Sequence, residues 1–284
     1  VTQGGSVSER LAAAGASISP AERKVAEVVV ADRELVAFGT VAEVAARAGA
    51  SGASVVRLAD RLGYAGFRGL QDAVRAEISG RLRPATEKIR RPAPGDLVGV
   101  AADAAASSVR TTFESLSRDD VDRVVGLLAQ RRRRVLVLSG DAGSGVGRQA
   151  VTHLSMLRDG VDELAGSAVA VGRLLARTGE GDVVLAIDLP RHDRWVLDAV
   201  GEARGRGALV VAVTDTPLSP LAVDAEVVLP VESYDVGPFD SYVAALAVVE
   251  VLVAGVANRL RVSAAERLDD LEEVWERTGA IDPE

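Results

Sequence analysis

Along the first 132 residues the apolar positions recur at helical spacing, and from Val135 onward they gather into short unbroken runs. In Thr40–Leu62, TVAEVAARAGASGASVVRLADRL, two helical faces follow one another. Val41, Val44, Ala45 and Ala48 fall at i, i+3, i+4 and i+7, and Val55, Leu58, Ala59 and Leu62 repeat the spacing. Gly49 lies between them, where a short turn can set two helices at a steep angle, so the segment predicts a helix-turn-helix. A helix opening at Pro20 precedes it, with Ser19 as cap, Glu22 three residues later and Val25, Val28 and Val29 as its stripe. Phe67, Leu70, Val74 and Ile78 predict a further helix.

Arg81–Gly95 breaks the rhythm with Pro84, Pro92 and Pro94 among Arg81, Arg83, Lys88, Arg90 and Arg91, which reads as a basic linker. The expected division is a helical domain at 1–80, a linker at 81–95 and a second domain at 96–284. Helices are expected at Asp96–Leu116 and, capped by Ser117, at Asp119–Arg132, where Val121, Val124, Val125 and Leu128 form the stripe. Val135–Leu138, Val183–Ile187, Leu209–Val213 and Val227–Leu229 are then β-branched runs separated by helix-length segments. Continuous apolar strands alternating with helices predict a parallel sheet covered on both faces, an α/β domain of the doubly wound kind.

Tyr242–Ala257 is apolar nearly all round, but Glu250 interrupts it and it falls short of the ~20 residues that span a bilayer. It is expected to pack in a core or a subunit interface, as is a final helix at Ala264–Arg277. No membrane partner is expected. A chain of 284 residues, 48% hydrophobic and 26% charged, suits two globular domains. It has no cysteine, which excludes disulfides, thiolate metal sites and cysteine nucleophiles, and two histidines disfavour a multi-histidine metal site. No metal or cofactor is expected, and with no secretory signal visible at the N-terminus the cytoplasm is the expected location.

Charge is divided unevenly. Residues 1–91 hold 14 Lys+Arg against 10 Asp+Glu, a net of +4, whereas the whole chain is −8. A basic end joined to an acidic body suggests that only the first part meets nucleic acid. Ser51 can cap the second helix of Thr40–Leu62, so Gly52, Ala53 and Ser54 present a helix start of little bulk to phosphate and major groove. Ser54, Arg57 and Arg61 are expected to face away from the Val55/Leu58 core, with Ser54 and Arg57 as candidates for base edges. Thr40, Arg61, Tyr64 and Arg68 complete the expected DNA-binding set, the last three as phosphate contacts. A small bundle with solvated arginines is the alternative reading of this segment.

The first strand of the second domain runs into Ser139-Gly140-Asp141-Ala142-Gly143-Ser144-Gly145, a glycine-rich turn to a helix through His153. Such a turn exposes N–H groups suited to an anion. It meets neither the dinucleotide fingerprint, since Arg148 takes the last glycine position, nor the Walker A pattern.

On PAERKVAEVVV, TVAEVAARAGASGASVVRLADRLGYAGFRGLQ, VLVLSGDAGSG, GDVVLAID and GALVVAVTDTPLSPLAVDAEVVLPV, the chain resembles the RpiR-type bacterial transcription regulators. These join a helix-turn-helix domain to a sugar isomerase (SIS) domain. The resemblance implies a homodimer or homotetramer that binds double-stranded operator DNA and senses a phosphosugar or related metabolite. It implies that Ser144 contacts the ligand phosphate, and Ser139, Gly140 and Gly143 of the same glycine-rich turn join it in the expected ligand set. A second loop, rich in Ser and Thr in that family, reads Asp188-Leu189-Pro190-Arg191-His192-Asp193 here. Two carboxylates in place of hydroxyls would repel a phosphate, although Arg191 could offset one. Asp188, Arg191 and His192 join the expected ligand set. Thr214, Ser219, Glu232 and Ser233 follow from loops at the same end of the sheet.

A ligand-responsive, non-enzymatic regulator is the leading expectation. The alternative is a phosphosugar isomerase or amino-sugar lyase with Glu232 or His192 as general base. A third reading is a DNA-binding dimer whose pocket is vestigial or takes an unphosphorylated ligand, motivated by Asp188 and Asp193.

Overall fold

A computed structural model describes residues 7–14, 18–81, 85–90, 92, 94–217, 219–223 and 225–281, and it divides into two compact units, 1–83 and 84–284. Of the linker residues expected from sequence, Arg83, Pro84 and Arg91 lie outside the described set, as do the side chains of Ile78 and Arg81.

The first unit is helical: α1 (Val7–Ala14), α2 (Pro20–Ala31), α3 (Arg33–Phe38), α4 (Val41–Ala48), α5 (Gly52–Arg61) and α6 (Gly66–Arg81). Four helix starts are capped by side chains, that of α3 by Asp32, which accepts the Leu35 N–H at 3.2 Å. Ser19 and Glu22 form a reciprocal capping box on α2, Thr40 and Glu43 do so on α4, and Ser51 caps α5. Each such cap is worth about 1 kcal/mol. Gly49 ends α4 in the left-handed conformation, at φ 55, which a side chain would strain. That turn lets Val44, Ala45 and Ala48 share one core with Val55, Leu58, Ala59, Val25, Val29, Leu70 and Val74. Periodicity does not announce the short α3. Its last carbonyls are satisfied from α6, where Gln71 donates to Val36 and Gly39 oxygens and Arg75 to that of Ala37.

The second unit begins with α7 (Ala85–Lys88), α8 (Leu97–Ser115) and α9 (Arg118–Leu128). It continues as β1 (Val135–Ser139), α10 (Ser144–Leu157), β2 (Val161–Glu163), α11 (Ala168–Leu175), β3 (Val183–Ile187), α12 (Arg194–Gly205), β4 (Leu209–Thr214) and β5 (Val227–Pro230). Two helices close it, α13 (Val243–Arg259) and α14 (Arg261–Thr278). The five strands are parallel in the order β2-β1-β3-β4-β5. Alternate strand residues serve opposite layers. Val137, Leu185, Val211 and Val213 pack with α9, α10 and α13, while Leu138, Val184, Ala186 and Val210 pack with α11 and α12. Burial on both faces is why these strands read as unbroken apolar runs.

The structure departs from or adds to the expected pattern in three places. The strand β2 is missing from the sequence reading because an edge strand of sequence Val-Asp-Glu, half-buried throughout, carries no apolar run. The helix expected to reach Arg132 stops at Leu128, and Arg133 and Arg134 turn onto backbone oxygens of Gly181 and Arg177. The stretch expected to be a basic linker includes α7, whose Lys88 is 5% exposed and lies 2.7 Å from Asp240 Oδ1 and 3.5 Å from Asp235 Oδ2.

Helix α13 buries Ala244, Ala245, Val248, Val249, Leu252 and Val256 and leaves Val243 and Val251 exposed. Among the described residues no single helix is long and apolar enough to cross a membrane, and α13 and α14 meet at a 102° bend.

Removing one member of the Lys88 cluster leaves two carboxylates beside a closed site. Lys88→Ala is expected to destabilise residues 84–284 by about 1–3 kcal/mol, less than for fully enclosed pairs because both aspartates are partly exposed. The midpoint of denaturant unfolding measures it, and an unchanged midpoint would show that the cluster contributes nothing.

Candidate functional site

On the first unit the expected DNA-facing residues divide. Ser51, Ala53, Arg57 and Arg68 are exposed, and Gly52 is half-buried. Ser54 is a correction: it is 2% exposed, so it does not face outward with the arginines. Its hydroxyl lies 3.0 Å from that of Ser51 and accepts from Arg57 Nη2 at 3.1 Å. Ser54 stands beside Leu58 at the edge of the core stripe, and its hydroxyl holds the Arg57 guanidinium.

Thr40 is exposed, and its hydroxyl is engaged with Glu43 in the cap of α4. Arg61 ends α5 and reaches across to Glu22 at 3.4 Å, a carboxylate that is 1% exposed. Hydrogen bonds from Ser19 and the Arg61 charge hold the Glu22 carboxyl below its ordinary range. Tyr64 is half-buried beneath Arg10, whose guanidinium carbon sits 4.6 Å from the ring centroid. Arg10 also donates to the Leu62 oxygen at 3.0 Å. Nothing in the local pattern of the chain marks Arg10, because the contact joins residues 52 positions apart.

On the second unit the strand order reverses direction of growth between β1 and β3, the switch point at which open parallel sheets bind ligands. Two loops meet there. The turn after β1 brings Gly140 and Gly143, both buried, and Ser144, exposed at the start of α10. Ser139 instead points under α10, where a Cβ on Gly147 would lie 2.3 Å from its Oγ. The loop after β3 brings Asp188, 3% exposed, and Asp193. A Cβ on Gly140 would lie 2.4 Å from Asp188 Oδ1, so only glycine leaves room for this carboxylate.

Asp188 accepts the Leu189 N–H at 3.1 Å and the Asp193 N–H at 3.2 Å, and its Oδ2 lies 3.3 Å from His192 Nδ1. His192 Nε2 lies 2.8 Å from Ser219 Oγ. That hydroxyl also lies 3.0 Å from Thr214 Oγ1 and accepts the Leu221 N–H at 3.2 Å. The spacing imitates a serine–histidine–aspartate triad, but Ser219 is 2% exposed and its hydroxyl is engaged by His192, Thr214 and the Leu221 N–H. The chain of bonds ties the β3 and β4 loops together. Thr214 is fully buried within it.

Arg191 is exposed with φ 70, the non-glycine positive φ among the described residues, at a strain of order 1 kcal/mol. Glu232 and Ser233 are half-buried, and the Glu232 N–H donates to Thr112 Oγ1 on α8 at 2.8 Å. Thr112 and Tyr242 belong to the site's frame although no sequence motif singles them out. The Tyr242 ring fills the space in front of Gly143, where a Cβ would lie 2.7 Å from Cε1.

Burial and the Asp188 carboxylate push the Tyr242 phenol above its ordinary value of about 10. A raised folded-state pKa gives stability that is present below the unfolded value and is lost as pH climbs through the folded one. Stability of the wild type is therefore expected to fall above about pH 10 more steeply than that of Tyr242→Phe. Chemical unfolding at a series of alkaline pH values checks this, and parallel curves would refute it.

Residues 5–81 match the helix-turn-helix domain, rpiR family, and residues 127–255 match the SIS domain. The bifunctional protein glk of Paraburkholderia xenovorans (strain LB400) is 25% identical over 266 residues, covering 92% of this chain and 41% of its own length. The chain thus spans about two fifths of the length of the first such relatives. The uncharacterized HTH-type transcriptional regulator TTE0211 of Caldanaerobacter subterraneus subsp. tengcongensis is 24% identical over 269 residues, 91% of this chain and 93% of its own. The NanR protein of Vibrio vulnificus complexed with ManNAc-6P shares the fold at TM-score 0.56 and 24% identity, over 95% of this chain and 98% of that one. With an rpiR-family helix-turn-helix domain followed by a SIS domain over a five-stranded parallel sheet, the chain belongs to the RpiR-type family.

Proposed function

We propose that this chain is a DNA-binding transcription regulator whose SIS domain senses a phosphosugar or related metabolite and alters affinity for an operator. The observation that carries the reading is the exposed Arg57 on α5, oriented by the buried Ser54, on an rpiR-family helix-turn-helix whose segment of the chain is basic. The proposed division is 1–80 for DNA, 81–95 for the connection and 96–284 for the sensor. Proposed DNA contacts are Ser51, Ala53, Arg57 and Arg68, with Arg61 and Tyr64 at the edge of the face. Ser144, Arg191, Glu232 and Ser233 are the proposed ligand contacts, around a frame made by Gly140, Gly143, Asp188, His192, Thr214 and Ser219.

A homodimer or homotetramer is the proposed assembly, because two recognition helices reading paired half-sites give the spacing that an effector can change. Exposed Val243 and Val251 on α13 and Val262 and Val274 on α14 offer apolar surface to a second copy. The alternative, an isomerase or lyase, asks His192 or Glu232 to act as general base. Both ring nitrogens of His192 are engaged by Asp188 and Ser219, which disfavours that role.

Titration of binding to double-stranded DNA from beside the coding sequence tests the reading. Affinity is expected to fall with salt at a log–log slope of about −0.9 per phosphate neutralised. Arg57→Ala is expected to cost about 1–3 kcal/mol and to relax sequence preference. Arg68→Ala is expected to weaken all sequences alike and reduce the slope by about 1. No binding at low salt, or turnover of sugar phosphates that survives without DNA, would remove this proposal.

A further inference from the structure

The contact between the two loops at the switch point is made by a carboxylate. The Asp141 N–H, in the turn that leads into α10, donates to Asp193 Oδ2 at 2.7 Å. The same oxygen would lie 3.1 Å from a Cβ on Gly140, beside Asp188 Oδ1. A glycine-rich turn from strand to helix offers N–H groups and a positive helix end to an anion. Here the anion is the chain's own. Asp188 next to it is held by the N–H groups of Leu189 and Asp193 and by His192, so the pair is locked in place.

We propose that Asp193 is a specificity-determining residue of the sensor site: a built-in anion that closes the β1 turn to phosphate esters. The effector of this chain then brings no phosphate to that turn, and the ligand class it admits is an uncharged, hydroxyl-bearing molecule such as an unphosphorylated sugar. The inference rests on reading residues 96–284 as a metabolite sensor and narrows what that sensor accepts. A phosphate placed within about 4 Å of Asp193 would meet repulsion worth roughly a thousandfold in affinity at the effective dielectric of a partly buried site.

Thermal unfolding of the full chain without DNA, in inorganic phosphate, glucose 6-phosphate or glucose at matched ionic strength, provides the test. The wild type is expected to show no stabilisation by either anion beyond that given by glucose. Asp193→Ala should gain about 2–4 °C in both anions. Asp193→Asn should gain less, because its amide oxygen still accepts from Asp141 while the charge is gone. Glu266→Gln, which removes a charge on α14, should gain nothing.

Stabilisation of the wild type by glucose 6-phosphate, lost in Ser144→Ala or Arg191→Ala, would overturn the proposal. So would the absence of any anion-dependent gain in Asp193 variants whose circular dichroism matches the wild type. Failure of the regulator reading would appear instead in the DNA titration, which this experiment does not involve.

Discussion

Covering both faces of a parallel sheet is the constraint on which the second unit depends. Once α9, α10 and α13 lie on one face and α11 and α12 on the other, the strands have no free surface for chemistry. Only the loops at the carboxyl ends stay open, and they converge where β1 and β3 are neighbours and the order of strands reverses. Ser144, Asp188, Arg191, His192, Thr214 and Ser219 come to that end of the sheet from three separate segments of the chain. The interior of the sheet carries the stability, and its end carries the chemistry.

At that end the polar groups serve one another. A buried polar group without a partner costs free energy comparable to a lost hydrogen bond, so the β3 loop satisfies Asp188 from backbone N–H groups and an imidazole, and His192 continues into Ser219 and Thr214. This explains why a serine, a histidine and an aspartate at triad-like spacing form a brace. A nucleophile needs an approachable oxygen, and Ser219 has none. These bonds tie the β3 and β4 loops to one another.

The first unit solves a different problem with the same economy of parts. Four short helices begin on side-chain caps, and a left-handed glycine turns α4 into α5. The core then takes one side of α5 and leaves Arg57 outside. Ser54 and Glu22 are buried polar residues that hold Arg57 and Arg61 in defined positions. A long arginine ordered before binding loses less side-chain entropy when it meets a base or a phosphate.

The sequence by itself determined the class of each unit: the helix-turn-helix of Thr40–Leu62, the four apolar strands, the glycine-rich turn and the loop carboxylates all follow from spacing, caps and composition. These are local properties, and a helical stripe or an apolar run is visible wherever it occurs. The edge strand β2 was not legible because Val161, Asp162 and Glu163 are only half-buried and need no apolar run. Lys88 looked like a linker lysine because its partners, Asp235 and Asp240, lie about 150 residues further along. Ser54 looked exposed when grouped with Arg57 and Arg61, although at i, i+4 it stands beside Leu58 at the edge of the core stripe. Only the tertiary structure decided that Asp193 reaches the Asp141 N–H and that His192 is braced on both sides. Such contacts depend on where two loops meet in space, and chain distance carries no record of that.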